Sequence, residues 1–68
     1  MSDPKFITIP DILYGNKIVN VDNIASVEMY MSGSKVILKQ VTNGTNDTIV
    51  TTATVAEINT VIYQVLHS

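Results

Sequence analysis

Apolar residues recur with helical spacing near the end of the chain. They occupy positions i, i+3, i+4, i+7 and i+8, which form one stripe on a 3.6-residue period: Ile58, Val61, Ile62, Val65 and Leu66. Thr54 followed by Glu57 has the spacing of a capping box, so the pattern predicts a helix over about residues 55–67. Because β-branched residues make poor isolated helices, we expect part of the stripe to form a lid over another surface. The expected lid residues are Ile58, Val61, Ile62 and Val65.

Short apolar runs predict five strands before this helix, over about residues 6–9, 17–21, 25–31, 35–41 and 48–53. The third run alternates most clearly, with Val27, Met29 and Met31 on one face. Such alternation is typical of a half-buried strand. The two methionines on that face suit core packing or a contact between subunits better than a cofactor site.

Turn residues separate the predicted strands. Pro10 is expected to stop the first strand. Asp22-Asn23 is interpreted as a turn, with a bulge inside one long bent strand as the alternative. The remaining turn signals are Gly15-Asn16, Ser32-Gly33-Ser34 and Asn43-Gly44. The hairpin around Ser32-Gly33-Ser34 should be antiparallel.

Five short antiparallel strands with tight connections can curl on themselves, because strand twist accumulates and bulges bend the longer strands. The predicted fold is therefore mainly β, a small and strongly bent five-stranded antiparallel barrel with one C-terminal α-helix. Residues 1–68 should form a single small domain. The helix would cover the open mouth or the outer face of the barrel.

Size and composition favour self-association. A chain of 68 residues buries only ~60% of the surface that its unfolded form exposes. Small domains make up the deficit with disulfides, a metal or oligomerisation, and this chain has no cysteine and a single histidine. A hydrophobic content of 46% and an open sheet edge both favour a homo-oligomer.

Charge and motifs exclude several classes of function. The net charge is −2, with four basic residues that are all lysine, which argues against a strongly nucleic-acid-binding surface. No apolar run reaches the ~20 residues of a membrane span, so we expect a cytoplasmic protein without a membrane contact. His67 has no second His or Cys beside it, the glycines are isolated, and most carboxylates stand beside turns or the helix start. We therefore predict no enzyme, no catalytic residue, no cofactor and no metal.

One outward-facing group on the predicted hairpin could serve binding. Tyr30, Lys35, Ile37 and Lys39 share that face. Lysines neutralise phosphates and a tyrosine stacks on bases, so Tyr30, Lys35 and Lys39 are the candidate nucleic-acid contacts. Against this, Lys on an edge strand is a common guard against aggregation, and Glu28 lies on the same face.

The order of these elements resembles the Sm-like (LSm) small barrel over about residues 6–53. The resemblance rests on the break at Asp22-Asn23, the Ser32-Gly33-Ser34 hairpin and the stretch VTNGTNDTIV, and it is closest to compact Sm-like proteins of cyanophages. It implies rings built by pairing edge strands, and RNA bound around the pore. The family usually begins with a helix and has a basic pair where Asn43-Gly44 stands here, so no binding residue is carried over.

The leading functional hypothesis is a non-enzymatic, Sm-like homo-oligomeric ring module with RNA or single-stranded nucleic acid as a candidate ligand. The alternative is a structural or protein-interaction subunit, of the kind small phage proteins provide, that binds no nucleic acid.

Overall fold

The computed structural model describes residues 4–67, which form two small antiparallel sheets and one helix. The first sheet contains β1 (Phe6–Asp11) and β2 (Gly15–Asn20). A short 3₁₀ turn (Val21–Asn23) leads to the second sheet, in which β4 (Gly33–Thr42) lies between β3 (Ile24–Tyr30) and β5 (Thr45–Thr51). The C-terminal helix is α1 (Val55–Leu66). A mainly β fold with one C-terminal helix is thus confirmed.

The β1–β2 hairpin is closed by a buried aspartate. Asp11 Oδ1 accepts the N–H groups of Leu13 at 2.7 Å and Tyr14 at 3.3 Å. Lys17 Nζ lies 3.7 Å from Asp11 Oδ2, so the hidden carboxylate has a charged partner. Gly15 completes the reversal at φ +80°, a conformation that favours glycine.

Strand β1 continues through Pro10 to Asp11, two residues beyond the predicted end. Register and hydrogen bonding explain how a proline fits there. The Val21 N–H donates to the Lys5 carbonyl, so alternation directs the backbone of Ile7, Ile9 and Asp11 toward β2. The nitrogen of Pro10 therefore faces away from β2, where no ladder bond needs a donor.

The β3–β4 reversal is tighter than the sequence predicts. Its loop is Met31-Ser32, and Gly33 and Ser34 already belong to β4. Met31 takes the left-handed conformation, with φ 52°. Gly33 is needed for close approach instead, since a Cβ there would overlap the Thr51 carbonyl oxygen and stand 2.8 Å from Thr52 Cα.

Two irregularities bend the second sheet. The β3–β4 register shifts by one residue between Ile24 and Ser26. The β4–β5 register shifts between Ile37 and Val41, where the Asn46 side chain donates to the Leu38 carbonyl over 2.8 Å. The side-chain amide thus replaces a backbone partner that the bulge removes.

The core lies between the two sheets and under the helix. Its buried residues are Ile7, Ile9, Val19, Val36, Leu38, Ile49 and Ile58. Only Ile58 among them comes from α1, and the helix packs against β1 and β3. At the start of the helix, Thr54 Oγ1 accepts the Glu57 N–H at 3.2 Å while Glu57 Oε1 accepts the Thr54 N–H at 3.0 Å. The predicted capping box is therefore present.

The prediction of a five-stranded barrel is wrong, because the strands of the described chain form sheets of two and three strands without closure. The chain leaves the first sheet at Asn20, whose side-chain oxygen accepts the Asp22 N–H at 2.9 Å. This capped turn delivers β3 to the other sheet, so β2 and β3 do not pair. A backbone hydrogen bond joins the two sheets after β1, where the Ile12 N–H donates to the Val50 carbonyl over 3.0 Å.

Candidate interaction edges

The outer edge of β3 is open. In residues 4–67 this strand has a neighbour on one side only, β4. The Val50 carbonyl accepts from the Ile12 N–H, so it points away from β4. Lys35, which stands opposite Val50, therefore makes no ladder bonds with it, and its backbone groups point to Glu28 in β3 instead. Alternation then directs the N–H and C=O groups of Val27 and Met29 outward. The edge offers a row of groups that another strand can pair with.

Two methionines stand beside this open edge. The side chain of Met29 is 83% exposed and that of Met31 is 87% exposed, so neither packs in the core of one copy. Met31 also holds a left-handed backbone, which costs a residue with a Cβ roughly 1–2 kcal/mol. The two-residue loop between β3 and β4 requires this positive φ, so it fixes Met31 at the tip of the hairpin beside the open edge.

The outer edge of β2 is open as well. Since Lys17 and Val19 bond to β1, the backbone groups of Asn16, Ile18 and Asn20 are directed away from β1. The Ile18 side chain is 76% exposed on the face opposite the core. Lys17 turns inward to Asp11 and so does not guard this edge.

The edge of β5 is better covered. Its Val50 carbonyl is taken by Ile12, and Thr48 Oγ1 donates to the Asn46 carbonyl over 3.4 Å. Two acceptors along this edge are thus already occupied. The outer side of β1 is not free either, because β1 contacts β5. Among the described strands, β2 and β3 are therefore the candidate edges for pairing with another chain.

Large apolar side chains are exposed well beyond these edges. Within residues 4–67 they are Phe6, Ile12, Leu13, Tyr14, Ile18, Met29, Tyr30, Met31, Val41, Val61, Tyr63 and Leu66. Three of them, Ile12 to Tyr14, are consecutive at the tip of the β1–β2 hairpin, which the Asp11 bonds hold in one conformation. These three consecutive side chains form a small exposed apolar patch at one end of the molecule.

The candidate nucleic-acid contacts are only partly brought together. Lys35 Nζ lies 5.2 Å from the centre of the Tyr30 ring, as a cation–π pair. Lys35 also stands directly opposite Glu28. Lys39 is exposed four residues farther along β4, about 13 Å away at the usual rise per residue. The predicted group therefore divides into a Tyr30–Lys35 pair and a separate lysine.

The lid residues occupy unequal positions. Ile58 is buried, with 4% of its surface exposed, while Ile62 and Val65 are partly buried against the core. Val61 is 37% exposed and lies at the margin of the buried stripe. The contact face of the helix is thus Ile58, Ile62 and Val65, which have i, i+4 and i+7 spacing.

A groove of about 390 Å³ opens between β2 and the β4–β5 side of the other sheet. Its lining is mainly polar, with Lys17, Asn20, Gln40 and Asp47 around it. This groove lies where a closed barrel would have continuous strands. Sequence patterning gives no signal for it, because it results from the missing closure.

Few features of the described chain suggest bond-making chemistry. Within residues 4–67 no three His, Cys, Asp or Glu side chains gather as a metal site requires. His67 stacks on Tyr63 with ring centres 4.0 Å apart, and its Nδ1 lies 2.9 Å from the Tyr63 carbonyl oxygen. The pKa of Glu57 lies below its ordinary 4.5 mainly because the Thr54 backbone N–H donates to its carboxylate; the hydrogen bond with the Thr54 side chain contributes less. That shift belongs to the helix cap.

Comparisons with protein-family models, with curated proteins and with solved structures find no match to this chain. The resemblance to Sm-like proteins of phages stays a prediction from the sequence. A helix that could span a membrane is not found among residues 4–67, where α1 has twelve residues.

Proposed function

We propose that this chain is a non-enzymatic subunit that assembles with copies of itself into a closed ring by pairing strand edges. The observation that carries the proposal is the outer edge of β3, where Val27 and Met29 present unpaired backbone groups. Natural sheets usually protect such an edge with lysine, proline or a covering element. β3 has no lysine or proline, and the charge of Glu28 is matched by Lys35 within the same sheet. The helix α1 packs against β3, but it leaves the Met29 side chain 83% exposed.

Exposed apolar surface supports the same proposal. A chain this small has little core, and many of its large apolar side chains lie outside that core. Association with further copies would remove these side chains from water, and burial stabilises the assembly by roughly 25 cal/mol per Å² of apolar surface. The ring and a cytoplasmic location remain predictions from the sequence, as does the class of structural or protein-interaction subunit.

Light scattering combined with size exclusion tests the proposal on the full chain at micromolar concentration. We expect one species with several times the mass of a single chain. Met29→Pro removes an outward N–H while leaving the bonds to β4 intact, so it should reduce that mass; Met29→Ala keeps the N–H and should not. Circular dichroism verifies that both variants are folded. A wild-type monomer overturns the proposal, and a folded Met29→Pro variant with the wild-type mass shows that the β3 edge is not used.

Single-stranded nucleic acid is the second candidate ligand, favoured by the Tyr30–Lys35 pair, which joins a cation to an aromatic ring. Fluorescence anisotropy with a labelled single-stranded oligonucleotide tests it across salt concentrations. Phosphate contacts would give a slope of about −0.7 per contact in log affinity against log salt, and Lys35→Gln should reduce that slope. No binding at low salt favours the subunit that works without nucleic acid.

A further inference from the structure

The two open edges of one copy lie on different sheets, one at β2 and one at β3. β2 and β3 follow each other along the chain, yet the capped turn at Asn20 directs them into different sheets. Each is left with one unpaired side. β2 has six residues and β3 has seven, so the two edges have similar lengths.

We propose that the β2 edge of one copy pairs with the β3 edge of the next. The inference rests on the proposed self-assembly and names the strand that β3 receives. The two-stranded sheet of one copy and the three-stranded sheet of its neighbour then form one five-stranded sheet across the interface. A strand pairing that the turn prevents within a chain is made between chains.

Symmetry favours this arrangement over pairing between two β3 edges. If β3 met β3 across a two-fold axis, every copy would keep the β2 edge open and the pair would remain prone to further association. A contact between β2 and β3 is head-to-tail, so it repeats from copy to copy. Closure of that series into a ring leaves neither edge unpaired.

The side chains at the two edges agree with the pairing. Ile18 and Met29 are the exposed apolar residues whose backbone groups are directed outward. In an antiparallel ladder, residues that exchange hydrogen bonds share a face, with Cβ atoms roughly 5 Å apart. The register that sets Ile18 of one copy opposite Met29 of the next removes both side chains from water, and this is the register we propose.

Cross-linking tests this contact directly, because the chain has no cysteine of its own. The variants I18C and M29C are prepared separately, mixed after denaturation and refolding, and treated with a short bis-maleimide. We expect covalent dimers in the mixture that contain one chain of each variant, identified by mass spectrometry. Each variant alone should give few dimers. T60C, on the exposed outer face of α1, is the matched control.

A second pair of variants separates the inference from the proposed function. Ile18→Pro and Met29→Pro each remove one outward N–H, and each should reduce the mass of the oligomer, whereas Ile18→Ala should leave that mass unchanged. Dimers from M29C alone, or a folded Ile18→Pro variant with the wild-type mass, overturn the β2–β3 contact and leave self-assembly standing. A wild-type monomer overturns both.

Discussion

Gly33 offers the sharpest test of the packing between β4 and the link to the helix. In Gly33→Ala the new Cβ would overlap the Thr51 carbonyl oxygen and stand 2.8 Å from Thr52 Cα and 2.9 Å from its carbonyl carbon. These are backbone atoms, which cannot rotate aside as a side chain would. Overpacking usually costs about 1–3 kcal/mol and sometimes more, so we expect a loss of about 3 kcal/mol in the free energy of unfolding.

That loss is large for so small a domain. At roughly 0.05–0.15 kcal/mol per residue, its whole stability is only about 3–10 kcal/mol. Urea unfolding followed by circular dichroism measures the change. With an m-value of about 1 kcal/mol/M, the midpoint should fall by about 3 M, or the variant should be unfolded in buffer. Equal protein concentrations are required, because association also raises the apparent stability.

Gly44→Ala is the matched control. Gly44 has φ +80° and no heavy atom within 4 Å of a built Cβ, so an alanine there meets backbone strain without a clash. Its cost should be about 1 kcal/mol. If Gly33→Ala loses no more stability than Gly44→Ala, the close approach of β4 to Thr51 and Thr52 is refuted.

Three further predictions concern the helix and its junction. Ile58→Ala should cost about 2–5 kcal/mol and Val61→Ala less than about 1 kcal/mol in urea unfolding, because only the first is buried; equal losses would contradict the assigned contact face. The buried Ser34 hydroxyl donates to the Ala53 carbonyl, in the link between β5 and α1, over 2.7 Å. Ser34→Ala removes this bond and should lower the free energy of unfolding by about 1–3 kcal/mol, whereas the control Ser32→Ala should be near neutral. A neutral Ser34→Ala would show that the bond does not stabilise the link. The pKa of Glu57 is lowered in the folded state, so its cap contributes stability above pH 4.5 and loses it as the pH falls below that value. The difference in melting temperature between wild type and Glu57→Gln should therefore shrink in acid, and a difference that stays constant would contradict this origin.

The helix was predictable because its signals are local. Thr54 and Glu57 contact each other three residues apart, and the spacing of Ile58, Ile62 and Val65 depends only on helical geometry. Strand alternation is equally local, so the presence of the strands followed from the sequence. Val61 shows the limit, since the stripe predicts its side of the helix but not how far the sheet beneath it extends.

The barrel was mispredicted because pairing between strands is not a local property. Alternation assigns the faces of β2 and β3, but it does not show that the 3₁₀ turn between them, which Asn20 caps, separates them into different sheets. The position of the turn between β3 and β4 was also mispredicted. Ser32-Gly33-Ser34 suggests a glycine at the bend, whereas Gly33 serves the approach to Thr51 and Met31 takes the positive φ.

The candidate edges could not be predicted for the same reason. In the sequence, Met29 suits either core packing or a contact between subunits, and Ile18 is one residue of the second predicted strand. Their exposure depends on where each sheet ends, which no local pattern encodes. Asp11 ends β1 and accepts the N–H groups of Leu13 and Tyr14, so it lies beside a turn, as the sequence indicates for most carboxylates. Only Tyr30 and Lys35 of the predicted binding group are neighbours, since both lie near the short Met31-Ser32 loop.

The docking of α1 against β1 has a consequence for folding of the chain. Ile58 belongs to the same core as Ile7, about 50 residues earlier, so the first strand is among the last to receive its full cover. Hairpins that form early keep apolar faces exposed until α1 docks on them. Contacts this distant in sequence slow folding and prolong exposure to aggregation. A variant truncated after Ala53 should therefore bind chaperones, and the chain that includes α1 should be released from them once it has folded.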